Sequence, residues 1–224
     1  MTANALSKQV ERFFEDLTNA PRERQPDKQP RQREQRHQPG ATQADRRKVP
    51  RRKRARLPAA LDELRKQWRV STLMHGDMRL ENCILVHKGG VPSTLKIVDW
   101  ELADLGDPAW DVGSIMQAFL ATHITSLPPF ENGLTLSALL THPSLANLRP
   151  AVRFFWESYA YELQNSKGDD LFERCLSFAA ARMIQSAYEY MQFSPHLSRN
   201  ALHLVEVSSD ILKNPTAAAE QFLS

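Results

Sequence analysis

Residues 73–113, LMHGDMRLENCILVHKGGVPSTLKIVDWELADLGDPAWDVG, constrain this chain more than any other stretch. Asn82 is followed directly by Cys83-Ile84-Leu85-Val86, an apolar, partly β-branched run that suits a short buried strand. His87-Lys88-Gly89-Gly90-Val91-Pro92 reads as a turn, because paired glycines supply positive φ and Pro92 cannot extend a ladder. Leu95-Lys96-Ile97-Val98 then reads as the partner strand, with Asp99 at its end. Pairing the two would set Asn82, at the start of one strand, beside Asp99, at the finish of the other. Carboxylates gathered beside apolar runs mark a site.

The chemistry of that site follows from its donors. Asn82 and Asp99 form an oxygen-only pair, which suits Mg²⁺: the ion prefers hard ligands, keeps several waters and takes others from phosphates. Asp77, on the loop just before, could accept a proton from a substrate hydroxyl. In kinases a catalytic-loop Asp orients the nucleophile, an Asn five residues on binds metal, and a second Asp beyond the next strands binds metal too. The spacing Asp77-x4-Asn82 matches, with His75-Gly76 ahead of it and Asp99-Trp100-Glu101 where Asp-Phe-Gly would stand.

Simpler readings exist for the single residues. Asp77 and Asn82 also suit turns, although turn chemistry does not account for Asp99 and Asp107-Pro108-x-x-Asp111 in order behind them. Asp107 before Pro108 reads as a helix N-cap with proline at the first position. Glu101 is either a neighbour of metal or substrate or a solvated loop carboxylate. Arg79 either touches phosphate or sits in a surface salt bridge.

Taken together, HGDMRLEN, IVDWE and GDPAWDVG resemble the aminoglycoside phosphotransferase and choline kinase family, the small-molecule branch of the protein-kinase-like fold. The resemblance covers roughly residue 57 to the C-terminus, with the motifs confined to 75–113. It implies an α+β, mainly helical chain: a kinase-like C-terminal lobe with a short β-hairpin at the catalytic site. It implies ATP as co-substrate, Mg²⁺, and a small-molecule hydroxyl as acceptor. By the same resemblance Asp77 is the catalytic base, His75 supports it, and Asn82 and Asp99 are the metal ligands. Asp111 and Gly76 would be structural supports of the catalytic loop, Asp111 through backbone hydrogen bonds.

One part of the family pattern is missing. The N-terminal lobe of such an enzyme needs a twisted sheet, a glycine-rich loop and a strand lysine paired with a helix glutamate. Nothing before Leu57 reads that way, and Gly40 is the only glycine ahead of Gly76. The chain is therefore expected to be a truncated or impaired phosphotransferase. The alternative is a catalytically inactive C-lobe pseudokinase acting as a metabolite- or protein-binding module.

Three segments follow from composition: a short amphipathic helix in 1–18, a basic Pro/Arg/Gln-rich segment over 19–56, and the kinase-like lobe over 57–224. In the first, Leu6, Val10, Phe13, Phe14 and Leu17 fall at helical spacing. The second has too little apolar content to offset its ordering entropy and is expected to stay disordered. Residues 1–57 carry 16 Lys/Arg against 7 Asp/Glu, net +9, and the rest carries 13 against 19, net −6. The basic run Arg46–Arg56 is a solvated linker or a weak polyanion contact, without aromatics to stack bases. A nucleic-acid-associated role would rest on that charge alone. The acidic remainder is compatible with cationic acceptors and equally with an ordinary domain.

Helices are expected over Leu57–Arg69, with Pro58 at its start and Leu61, Leu64 and Trp68 on one face, and over Pro108–Ala121. Others follow over Phe130–Thr141, Leu145–Gln164 and Leu171–Gln192, and a last one over Pro195–Lys213 ends at Asn214-Pro215. Core positions are expected at Phe154, Phe155, Trp156, Tyr159 and Leu163, then at Phe172, Leu176, Ala179, Met183 and Tyr190. Cys83 and Cys175 show no framework spacing and read as buried thiols in a reducing compartment. With no apolar run of membrane-spanning length and no signal-peptide core, a cytoplasmic location with no membrane span is expected.

Overall fold

The computed structural model describes residues 51–127, 130, 133–163, 170–192 and 198–224. The helix expected within residues 1–18 and most of the 19–56 segment lie outside the described residues. The chain is mainly helical with two small antiparallel sheets. In order it forms α1 (Arg51–Lys66), β1 (Thr72–Met74), β2 (Cys83–Lys88), β3 (Val91–Ile97), β4 (Asp104–Gly106), α2 (Pro108–Ser126) and α3 (Leu136–Thr141). Then come α4 (Leu148–Glu162), α5 (Leu171–Gln192), α6 (Arg199–Lys213) and α7 (Pro215–Leu223). No helix among the described residues is long and apolar enough to cross a membrane.

The core lies where α2, α5 and α6 meet, with α1, α3, α4 and α7 packed around them. Helix α5 shows why: Phe172, Cys175, Leu176, Ala179, Met183 recur every three or four residues and are all buried, the period of one helical face. Trp68, Trp110 and Phe178 meet edge to face, with centroids 5.6–6.0 Å apart. That cluster fastens the segment after α1 to α2 and α5, and such pairs favour the T-shaped arrangement seen. Cys175 is fully buried, which pushes its thiol far up; Cys83 is only partly covered, and its thiol is raised by burial first and Glu81 second.

Several boundaries differ from the sequence-based expectation. Helix α1 begins at Arg51 and carries Pro58 inside it, so the proline does not mark the start; it removes one backbone donor without ending the helix. Helix α2 runs on to Ser126 where a loop was expected from His123. Asn214-Pro215 does not end the chain's helical part: Asn214 accepts from the amide of Ala217, 3.1 Å away, and caps α7. Proline directly after a capping residue starts a helix as readily as it stops one.

Side-chain placement also corrects the expected core. Leu148 and Val152 set the buried stripe of α4, and Phe155, Trp156 and Tyr159 continue it at the edge of the core. Phe154 falls off that stripe and is 73% exposed; Leu163 and Tyr190, near helix ends, are exposed too. The strands differ more. Instead of a short buried strand, β2 and β3 form a longer hairpin with Ile84, Leu85, Val91 and Leu95 all exposed. Four apolar residues in a row point alternately to two faces, and among the described residues β2 and β3 pair only with each other. The turn is the two-residue Gly89-Gly90, both at positive φ, as tight hairpins require. Pro92 lies within β3 beside a register shift at Val86/His87, a position where a strand tolerates proline. The second sheet, Thr72↔Gly106 to Met74↔Asp104, has strands too short to leave an alternation in the sequence.

The deepest polar contact is Asp107, which has no exposed surface. One carboxylate oxygen accepts from the Ala109 amide at 3.0 Å; the other accepts from the Arg69 amide at 2.9 Å and pairs with buried Arg174 on α5. Removing one member of a buried ion pair strands the other. Asp107→Ala should therefore lower stability by about 3–5 kcal/mol, read as a drop in denaturant midpoint with unchanged slope; a loss under about 1 kcal/mol would contradict this.

Buried His203 supplies a second test. Its Nδ1 has no hydrogen-bond partner, its ring lies 5.8 Å from that of Phe130, and burial holds its pKa below the ordinary 6.5 despite nearby Glu206. A depressed histidine contributes stability that is fully present above the unfolded value and lost as pH falls towards the folded one. Stability should fall on acidification below about 6.5, and His203→Leu should flatten that slope in denaturation curves taken across this range.

Candidate active site

The loop between β1 and β2 carries His75, Gly76, Asp77, Arg79 and Asn82, and its shape is set from below by α2. Asp111, in the first turn of α2, accepts from the backbone amides of His75 (2.6 Å) and Gly76 (3.0 Å). Burial pushes its carboxyl above the usual range, and those two amides are the first opposing influence. Trp110 adds a third tie, donating from Nε1 to the Gly76 carbonyl at 3.2 Å. Gly76 itself sits at φ +82°, and a Cβ there would meet the Leu102 carbonyl oxygen at 2.6 Å, so no other residue fits.

His75 is 1% exposed. Its Nε2 lies 2.8 Å from the Val98 carbonyl, and its Nδ1 accepts from the Asp77 amide at 3.3 Å. That pattern requires the Nε2–H tautomer and occupies both ring nitrogens, so the ring ties the loop to the end of β3. Trp100 covers it at 4.8 Å between centroids. Asn82 is buried, and its amide nitrogen donates to the Asp77 carbonyl at 3.0 Å. The side-chain oxygen is thus the atom that could serve as a ligand.

The hairpin then places Asp99. Cys83 pairs with Ile97, and the Val98 amide donates to the Asn82 carbonyl at 3.0 Å, so residue 99 follows directly on the residue opposite 82. Asp99 has φ 68°, ψ 53°, the only left-handed non-glycine among the described residues. Such a backbone costs about 1–2 kcal/mol, and the residue it carries is exposed just beyond the end of β3. Glu101 is exposed on the short 3₁₀ turn that follows.

The donor set fits a hard divalent cation. No three His, Cys, Asp or Glu side chains among the described residues gather to hold a metal alone. An ion would have only Asn82 and Asp99 as protein ligands and would take the rest from water and phosphate, which is how Mg²⁺ is commonly held.

Asp77 is the most crowded of the expected residues. Its Oδ1 accepts from Arg79, at 3.2 Å from Nε and 2.9 Å from Nη2. Arg182 on α5 reaches the same oxygen at 3.8 Å, with its guanidinium 5.3 Å from the Trp110 ring centroid. Burial pushes the Arg182 guanidinium down, and Asp77 is the first group to oppose this. Sequence reasoning missed Arg182. The available signal was a lone charge inside the apolar stripe Phe178-Ala179-Ala180-Ala181-Arg182-Met183-Ile184.

Asp111 holding two amides has a direct readout. In native-state hydrogen exchange the His75 and Gly76 amides should be protected, and Asp111→Ala should release both while amides in the middle of α5 stay protected. Unchanged exchange at residues 75 and 76 would show that the loop is held by something else.

The family model of the phosphotransferase enzyme family matches residues 4–148, which contain Asp77, Asn82, Asp99 and Asp111. No curated protein matches the chain. On the strength of a family match over well more than half of its length, the chain belongs to the phosphotransferase enzyme family.

Proposed function

We propose that the chain is a phosphotransferase of the small-molecule kinase type, moving the γ-phosphoryl group of ATP to an alcohol with Mg²⁺. Its two small sheets and helical body are read as a kinase-like C-terminal lobe. One observation carries the reading. The Asn82 amide is fixed to the Asp77 carbonyl while the hairpin register sets residue 99 next to residue 82, which supports reading the three as one site.

On this reading Asp77 receives the acceptor hydroxyl and takes its proton as the oxygen attacks the γ-phosphorus. The bond to the β–γ bridging oxygen breaks and ADP leaves. Bound Mg²⁺ would neutralise charge on the phosphate oxygens, with Asn82 and Asp99 as its protein ligands. His75, Gly76 and Asp111 act through the loop, keeping Asp77 in place. The second reading, a silent module that binds a metabolite or protein, draws on the hairpin: Ile84, Leu85, Val91 and Leu95 face solvent, as a surface for a partner would.

Calorimetric titration of the whole chain with ATP and Mg²⁺ separates the two. The phosphotransferase reading expects saturable heat that disappears in Asp99→Ala. It also expects Asp77→Asn to keep nucleotide binding but lose about 10²–10⁴ in turnover. No heat at millimolar nucleotide would reject independent catalysis.

A further inference from the structure

Arg182 lies far along the chain from residues 73–113, yet it reaches Asp77. Its side chain is 14% exposed and its guanidinium packs over Trp110. Of its donors, Nη1 is used by Gln185 at 2.6 Å. Nη2 is 3.8 Å from Asp77 Oδ1, close enough for attraction but too long for a hydrogen bond. Nε is buried with no hydrogen-bond partner. A buried guanidinium with idle donors is costly unless a ligand completes it, and its planar fork matches a carboxylate or phosphate.

We propose that Arg182, with Arg79 beside it, makes the acceptor site selective for alcohols that carry an oxyanion, a carboxylate or phosphate, close to the reacting hydroxyl. This rests on the reading of Asp77 as the group that receives that hydroxyl. Arg79 and Arg182 converge on one oxygen of Asp77. A hydroxyl arriving there competes for the carboxylate and leaves guanidinium donors to be taken by the nearest anion. A cationic acceptor would place its ammonium against two guanidinium groups. The net −6 of the chain beyond residue 57 does not by itself set the preference, and the carboxylates of Glu189 and Asp111 also act on Arg182, so the selectivity rests on the guanidinium fork. The oxyanion is assigned to the acceptor because Arg182 meets the side chain of Asp77, the group read as receiving the acceptor hydroxyl, whereas Asn82 is tied to the backbone carbonyl of that residue; the parallel ATP titration tests the other assignment.

The test is equilibrium binding to the whole chain without turnover, with glycerate, glycerol 3-phosphate and choline as probes and ATP titrated in parallel. Glycerate or glycerol 3-phosphate should bind about tenfold or more tighter than choline. Arg182→Met, which keeps the packing on Trp110, should erase that preference. Arg182→Lys, which keeps charge but not the fork, should fall between. Choline binding as tightly as the anions, no anion binding at millimolar concentration, or wild-type behaviour of a folded Arg182→Met would overturn the proposal. Loss of ATP binding alone in Arg182→Met would also overturn it, assigning the guanidinium to the nucleotide. If Arg182→Met does not fold, the wild-type preference between glycerate and choline decides. Anion binding that depends on Arg182 in a chain without phosphoryl transfer would keep this inference and remove the phosphotransferase reading; transfer to choline would do the reverse.

Discussion

The first turn of α2 is the joint on which the molecule depends. Asp107 is buried, caps that helix, accepts from the segment after α1 at Arg69 and pairs with Arg174 on α5. One turn later Asp111 holds the His75 and Gly76 amides. Two carboxylates at a helix N-terminus face the positive end of its dipole, which offsets part of the cost of burying them. Charge removed from solvent in this way is poor value as pure stability. Here it determines where three chain segments, far apart in sequence, must meet, and the loop bearing Asp77 is one of them.

The site was more legible in the sequence than the fold around it. Asp77, Asn82, Asp99 and Asp111 owe their positions to short-range facts: a loop of fixed length, a hairpin whose turn is marked by Gly89-Gly90, and a helix started by Asp107-Pro108. Each of these is local chemistry that a linear string displays. The four fall where one family motif would need them. Arg182 is different, because it reaches Asp77 through helix packing between α2 and α5. No spacing rule carries that information, although a single arginine within an alanine-rich buried stripe does stand out.

The failures in reading the core have one cause. Apolar content alone does not give burial, which depends on phase along the helix. In α4 the stripe is set by Leu148 and Val152, and Phe154, two positions on from Val152, faces away despite its size. In α5 the stripe holds through Met183 but not at Tyr190, where the helix has run past its neighbours. The hairpin differs for a related reason: Cys83–Val86 looks like a strand covered on both faces, but among the described residues no other strand pairs with β2 and β3, and Ile84, Leu85, Val91 and Leu95 remain exposed. The short β1–β4 ladder, held by partners some thirty residues apart, leaves no local signature at all.

These observations divide the site into two mechanical parts. His75, Gly76 and Asn82 are locked: both ring nitrogens of His75, the His75 and Gly76 amides, the Gly76 carbonyl and the Asn82 amide nitrogen are spent on Val98, Asp77, Asp111 or Trp110. Asp77 and Asp99 are the opposite, one shared with arginines that another ligand can displace, the other exposed on a left-handed backbone. Strain of that kind persists only where surrounding structure over-determines it, and the lock on Val98 from both His75 and Asn82 is what does so here. The rigid part spends its hydrogen bonds on the backbone that carries these two carboxylates, and on the proposed reading that suits phosphoryl transfer, in which the protein does little covalent work and much positioning.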